Sequence, residues 1–230
     1  MNPLVAPLEE MGVTVRNIML PGHGTSFEDF QNTYWRDWEQ AAEQEYEKLA
    51  AEVDAVFVVG LSMGGALALH LASNYPVAGV VPLAAPLYVY SVIPWEMKDW
   101  RLPFTPIIKR FKPVVALGKR DEGHEKISPW VGYDDFVSMV QLQELMNGVK
   151  KVRSEVSAVT APILIVQAKK DKTVPLGNAF LIAKKVSSKD VTVKLFSIEE
   201  KITGHHVITT HIETSEKIIQ MVKSFIKRII

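Results

Sequence analysis

The 230-residue chain contains no cysteine. Disulfides, thiolate-ligated metals and a cysteine nucleophile are therefore excluded together. A reducing compartment fits this composition, and a cytoplasmic location is expected. No apolar run approaches the roughly 18 residues needed to cross a bilayer, so no integral membrane association is expected. Neither sign of charge is in excess: Lys+Arg and Asp+Glu are 26 each. Such a chain offers no general electrostatic reason to bind nucleic acid or an anionic membrane. There is no internal repeat and no low-complexity tract. No secretory leader is visible, because Met1-Asn2-Pro3 runs into a mixed segment carrying Glu9 and Glu10.

What remains is the composition of a globular protein, 47% hydrophobic and 23% charged. Residues 13–20 (VTVRNIML) read as a strand, followed by the turn Pro21-Gly22-His23-Gly24. Trp35, Trp38, Ala42, Tyr46, Leu49 and Val53 recur three or four apart, the stripe of an amphipathic helix. Residues 55–59 (AVFVV) are continuously apolar, as in a strand buried on both faces of a parallel sheet. A helix is expected over 66–74. A second apolar run, 77–85, contains Pro82, which removes a ladder donor and predicts a short strand. Strands over 163–167 and 191–198 and a helix over 175–187 continue the alternation. A last helix is expected over 211–229, with Thr210 and Glu213 as a capping box. The pattern specifies an α/β fold with a mostly parallel sheet flanked by helices.

Between 86 and 158 the alternation fails, yet the stretch holds nine of the chain's twenty aromatic residues, among them Trp95, Trp100 and Trp130. A structureless loop of that length is unusual. A small helical insertion packed over the sheet is expected, so that 1–85 and 159–230 form the core and 86–158 the insertion.

Gly60-Leu61-Ser62-Met63-Gly64 fits G-x-S-x-G and lies between a buried strand and a helix, where a nucleophile elbow belongs. Small residues on both sides would let the turn hold Ser62 Oγ clear of the sheet at a helix N-terminus. A serine hydroxyl needs a base, and the base needs an orienting group. Asp171 follows the strand 163–167 in a polar turn. His205 and His206 follow the strand 191–198, and spacing does not choose between them. His70 reads as a packed or surface helix residue, His124 as part of a charged loop, and His211 as part of a helix cap. A metal site built from His205, His206 and His211 lacks a carboxylate at suitable spacing.

GLSMGGALAL, AKKDKTVPLGNA, GHHVIT and LPGHGTS together resemble the bacterial carboxylesterase and monoacylglycerol lipase group of α/β-hydrolases. The resemblance covers essentially the whole chain and is loosest in the insertion. It implies that Asp171, in an Asp-x-x-Val-Pro turn, is the acid. It also implies that His206, directly before Val207, is the base in preference to His205. It implies an acyl-serine mechanism on carboxylic esters of short- to medium-chain acyl groups, an oxyanion held partly by the Met63 N–H, and a cap over an apolar acyl pocket; hydrolysis of a thioester, amide or carbon–carbon bond, or a ligand-binding relative without turnover, is the alternative. No metal or organic cofactor is implied. A monomer or a homodimer is compatible with all of this.

The chain departs from the group at its start. Its members have a central strand between those corresponding to 13–20 and 55–59, and the loop after that strand supplies a second oxyanion donor. No such segment is present here, and residues 1–12 resemble the helix that follows it. The expectation is a chain truncated relative to the family, with the strand encoded upstream of Met1. The competing reading is a variant that closes its sheet differently. On the first reading, the 230 residues alone are weakly active or poorly folded.

Overall fold

The computed structural model describes residues 1–89, 102–116, 123–130, 132 and 136–230. Tyr90, Trp95, Trp100 and Tyr133, counted above in the insertion, lie outside the described residues. The chain opens with α1 (Val5–Glu9), α2 (Phe27–Gln31) and α3 (Trp35–Ala50), and continues through β1 (Phe57–Leu61), α4 (Met63–Asn74) and β2 (Gly79–Leu83). Then come α5 (Thr105–Phe111), β3 (Val114–Ala116), α6 (His124–Ile127), β4 (Phe136–Ser138) and α7 (Met139–Glu155). The chain closes with β5 (Ile163–Ala168), α8 (Gly177–Lys185), β6 (Val191–Phe196) and α9 (Ser215–Ile229).

The main sheet has the order β1-β2-β5-β6, and every pair is parallel. β2 and β5 are buried at every position, the consequence of being central strands covered on both faces. On one face Trp38 of α3, Leu69 of α4, Val152 of α7 and Ile182 of α8 join one apolar core. On the other, Leu8 of α1 packs with Ile218, Val222 and Phe225 of α9. α9 is strongly one-sided, with those residues inward and Lys217 and Lys223 outward, whereas α4 is buried along most of its length. That difference explains why α4 reads in the sequence as an apolar run without a polar face. Pro82 sits opposite Gly60 in a strand of five residues.

The region expected as a helical insertion contains α5 and α6 and also a two-stranded antiparallel sheet, β3 with β4. α7 lies in the same span, and its Val149 and Val152 belong to the main core.

Three local expectations are corrected. Residues 13–20 form no strand. Their apolar alternation is real, but a strand needs a ladder, and no backbone hydrogen bond joins them to β1 among the described residues. Val56 O accepts from Ala78 N, and Ser62 N donates to Leu83 O, so the even-numbered residues of β1 face β2. Strand alternation turns the main-chain groups of Phe57, Val59 and Leu61 the other way, toward 13–18. A cavity of about 940 Å³ separates the two segments; Val13, Val15, Phe57, Val59 and Leu61 line it.

The second correction concerns the last helix, which begins at Ser215 rather than 211. Thr210 and Glu213 form no capping box. Thr210 Oγ1 donates to Pro129 O, and the Glu213 carboxylate accepts the N–H groups of Glu199 and Glu200. Third, His124 lies in the one-turn helix α6 rather than in a loop.

Candidate active site

β1 ends at Leu61, and α4 begins at Met63, which leaves Ser62 alone to turn the chain. Ser62 has φ +56° and ψ −120°, a conformation that few residues other than glycine adopt. The turn is enforced by crowding. A Cβ at Gly60 would lie 2.0 Å from Gly64 O, and one at Gly65 would lie 2.7 Å from Ala85 Cβ. The second glycine of the sequence motif is not the crowded one: nothing lies within 4 Å of a Cβ at Gly64. The close approach demands glycine at 60 and 65, because there the first turn of α4 passes over β1 and over the chain leaving β2. Ser62 consequently stands at the N-terminus of a twelve-residue helix, whose first N–H groups have no partner inside the helix.

β5 and β6 deliver the other two side chains at the same end of the sheet. Asp171 follows β5 and is buried, with all four of its hydrogen bonds defined. Oδ1 accepts the N–H groups of Thr173 at 2.7 Å and Val174 at 2.9 Å. Oδ2 accepts Gln167 Nε2 at 2.9 Å and His206 Nδ1 at 2.8 Å. Nδ1 therefore carries the proton, and His206 Nε2 is left to accept the Ser62 hydroxyl, 2.8 Å away. Lys172 N donates to Gly204 O at 2.8 Å, which ties the Asp171 turn directly to the His206 loop.

Ser62, Asp171 and His206 thus form one continuous hydrogen-bonded chain. His205 does not join it. Its ring turns away, and its Nε2 donates to Glu200 O at 2.8 Å. His211 is buried; its Nδ1 accepts Glu213 N and its Nε2 donates to Glu200. His70 lies between α4 and its neighbours, with Nδ1 2.7 Å from Glu155 and Nε2 3.1 Å from Glu43. No cluster of three or more metal-ligating side chains occurs among the described residues.

Two participants escaped the sequence reading. Gln167 is buried and braces Asp171; its only signal was a polar residue ending the otherwise apolar run ILIVQ. Glu200 anchors the loop before His206. Burial alone pushes its carboxyl upward. Hydrogen bonds from the Thr203 hydroxyl and N–H, the His211 ring and the Ile202 N–H outweigh that effect and hold it at about 2.

The cavity beside β1 reaches this site. Ser62, Met63, His206 and Val207 line it, together with Trp130 from beyond α6. Burial lowers the pKa of His23, another lining residue, below the ordinary histidine value, against the opposing effect of its backbone hydrogen bonds.

A parallel sheet between two helical layers, with a strained serine elbow and an acid–histidine pair at the carboxyl ends of its strands, defines the α/β-hydrolase class. Residues 1–198 match the serine aminopeptidase family S33, and the chain belongs to that family. It is 30% identical to the thermostable monoacylglycerol lipase of Bacillus sp. (strain H-257) over 82% of this chain and 71% of that protein. It is 29% identical to a carboxylesterase of Bacillus subtilis (strain 168), over 88% of this chain and 76% of that protein. Among solved structures, one reported for LipS and LipT, two metagenome-derived lipolytic enzymes, superposes with a TM-score of 0.81 at 25% identity. That match covers 98% of this chain and 86% of the other. The Paleococcus ferrophilus monoacylglycerol lipase shares the fold, with a TM-score of 0.63 at 18% identity over 85% and 76% of the two chains.

Proposed function

We propose that this protein hydrolyses carboxylic esters of short- to medium-chain acyl groups, with Ser62 as nucleophile, His206 as general base and acid, and Asp171 as its orienting partner. The observation that carries the reading is the unbroken hydrogen-bond path from Asp171 Oδ2 through His206 to Ser62 Oγ. His206 Nε2 takes the hydroxyl proton as Oγ attacks the ester carbonyl. The charge that develops on the carbonyl oxygen meets the Met63 N–H at the start of α4. His206 then protonates the departing alcohol, and a water activated by the same nitrogen releases the acid. Asp171 fixes the tautomer and stabilises the imidazolium.

The esterase and lipase names of the two Bacillus relatives favour an ester over an amide. A cytoplasmic location belongs to the same proposal.

A strand absent from these 230 residues belongs to the same reading. The outward main-chain groups of β1 and the cavity beside them fit an additional strand between β1 and residues 13–18, whose following loop adds a second oxyanion donor. One missing donor typically costs about 10²–10³ in rate.

Nitrophenyl esters of graded chain length, monoacylglycerols, a thioester and an anilide form the test panel. They are combined with fluorophosphonate labelling of the parent chain and Ser62→Ala. Ester turnover and labelling that both vanish in Ser62→Ala are expected. Turnover that survives Ser62→Ala, or anilide cleaved faster than every ester, overturns the reading.

A further inference from the structure

We propose that Glu200 is a positioning residue that aims the His206 ring by holding its neighbour His205 in a left-handed backbone conformation. The inference rests on the reading of Ser62, His206 and Asp171 as a catalytic triad.

His205 has φ +56°, which its Cβ disfavours. Some interaction must hold it there, and the hydrogen bonds of its ring identify it. The ring is buried, and its Nε2 donates to Glu200 O at 2.8 Å and lies 3.1 Å from Glu200 Oε1. Its Nδ1 has no hydrogen-bond partner among the described residues. Every hydrogen bond of the ring therefore runs to Glu200. The peptide between 205 and 206 takes its orientation from that φ, and His206 must thread its ring between Asp171 and Ser62 with 2.8 Å contacts on both sides. A His205 that relaxed to negative φ would rotate that peptide and swing His206 off the line.

Glu200 is itself held on every side. Its Oε2 accepts Ile202 N at 2.6 Å and Thr203 N at 2.9 Å, and its Oε1 accepts the Thr203 hydroxyl and His211 Nε2. The same Thr203 oxygen accepts His205 N at 3.3 Å. Glu213, the other acid at this cluster, holds the N–H groups of Glu199 and Glu200. These bonds demand an acceptor at both carboxylate oxygens. An amide offers only one. If its oxygen serves the two backbone donors, its NH₂ faces the N–H of His211. His211 cannot relieve the clash by changing tautomer, because its Nδ1 is already committed as acceptor to Glu213 N.

The experiment compares the parent with Glu200→Gln, Glu200→Asp and Thr203→Val. It measures kcat and KM on a nitrophenyl ester, the fluorophosphonate labelling rate, and the unfolding temperature, with kinetics run well below the unfolding transition. A misplacement of about 1 Å in a catalytic group costs on the order of 10²-fold. Glu200→Gln is expected to lose about that factor in kcat, with KM within about twofold, and to label more slowly by the same factor. Glu200→Asp, which keeps both acceptors, should recover part of the loss, and Thr203→Val should fall between it and Glu200→Gln. A folded Glu200→Gln with kcat within threefold of the parent overturns the inference, even if its unfolding temperature drops. If that variant does not fold, Thr203→Val decides, and an unchanged kcat there overturns it. Failure of the underlying triad reading looks different: the parent's own turnover would survive Ser62→Ala.

Discussion

Replacing Asp171 by asparagine gives the sharpest test of the triad, because the hydrogen bonds around it leave the amide one good orientation. Oδ1 receives two backbone N–H groups, from Thr173 and Val174. An amide NH₂ placed there would confront two donors that belong to the fold and cannot move. The amide oxygen must take that position, and the NH₂ must take the place of Oδ2. There it faces His206 Nδ1, which has to become an acceptor. The ring proton then moves to Nε2 and points at Ser62 Oγ, so the imidazole can no longer receive the serine proton. The same NH₂ meets Gln167 Nε2, so the Gln167 amide must flip to accept it and gives up its 3.3 Å bond to Val174 O, a smaller loss than two unmet backbone N–H groups. Trapping the wrong tautomer costs about 10⁴ in kcat in serine proteases of the same logic, or about 5 kcal/mol of barrier. Steady-state hydrolysis of a nitrophenyl ester, with circular dichroism to verify folding, measures it. A folded Asp171→Asn variant within tenfold of the parent kcat would refute the tautomer argument.

Three further outcomes are expected. Gly60→Ala forces a methyl group to 2.0 Å from Gly64 O, a backbone atom, so soluble expression should fail or fluorophosphonate labelling should vanish. Gly64→Ala has open space and should keep both. Glu200 and Glu213 are both held below the ordinary glutamate value of 4.5, Glu200 at about 2. A carboxyl whose pKa is lower in the folded chain adds stability that is fully present above the unfolded value and is lost as pH falls through the folded one. Urea unfolding of the parent should therefore weaken between about pH 4.5 and 2, and Glu200→Gln should flatten that decline. Finally, a chain extended by its in-frame upstream residues should turn over ester about 10²–10³ faster than the 230-residue form if it restores an oxyanion donor. Equal rates would count against the truncation.

β2 and β5 were legible because a central parallel strand must be apolar on both faces, and such runs stand out in the sequence. Residues 13–20 carry an equally good strand pattern and form none, because pairing depends on what lies beside a segment and not on the segment itself. Glu213 matches the arithmetic of a capping box, but its carboxylate is spent on Glu199 and Glu200, fourteen and thirteen residues upstream. The strand ends located Ser62 and Asp171 and narrowed the third member of the proposed triad to two adjacent histidines. Local spacing could not separate the two, because what divides them is the positive φ of His205, whose ring turns to Glu200 while that of His206 meets Asp171. Gln167 and Glu200 were invisible for a related reason: they are ordinary polar residues whose importance comes from the groups folding brings to them.

The Lys172–Gly204 bond divides the site unequally. Asp171 and His206 sit on loops of two paired strands stapled to each other, so they move as one piece. Ser62 hangs from β1, on the far side of β2, next to the segment that forms no ladder. Motion in this enzyme would therefore not loosen the three side chains evenly. Asp171 and His206 would keep their spacing while the hydroxyl drifted toward and away from them, like a striker against a fixed anvil. The Nδ1 proton of His206 should accordingly stay protected and sharp in a magnetic resonance spectrum under conditions where the reactivity of Ser62 has already faded.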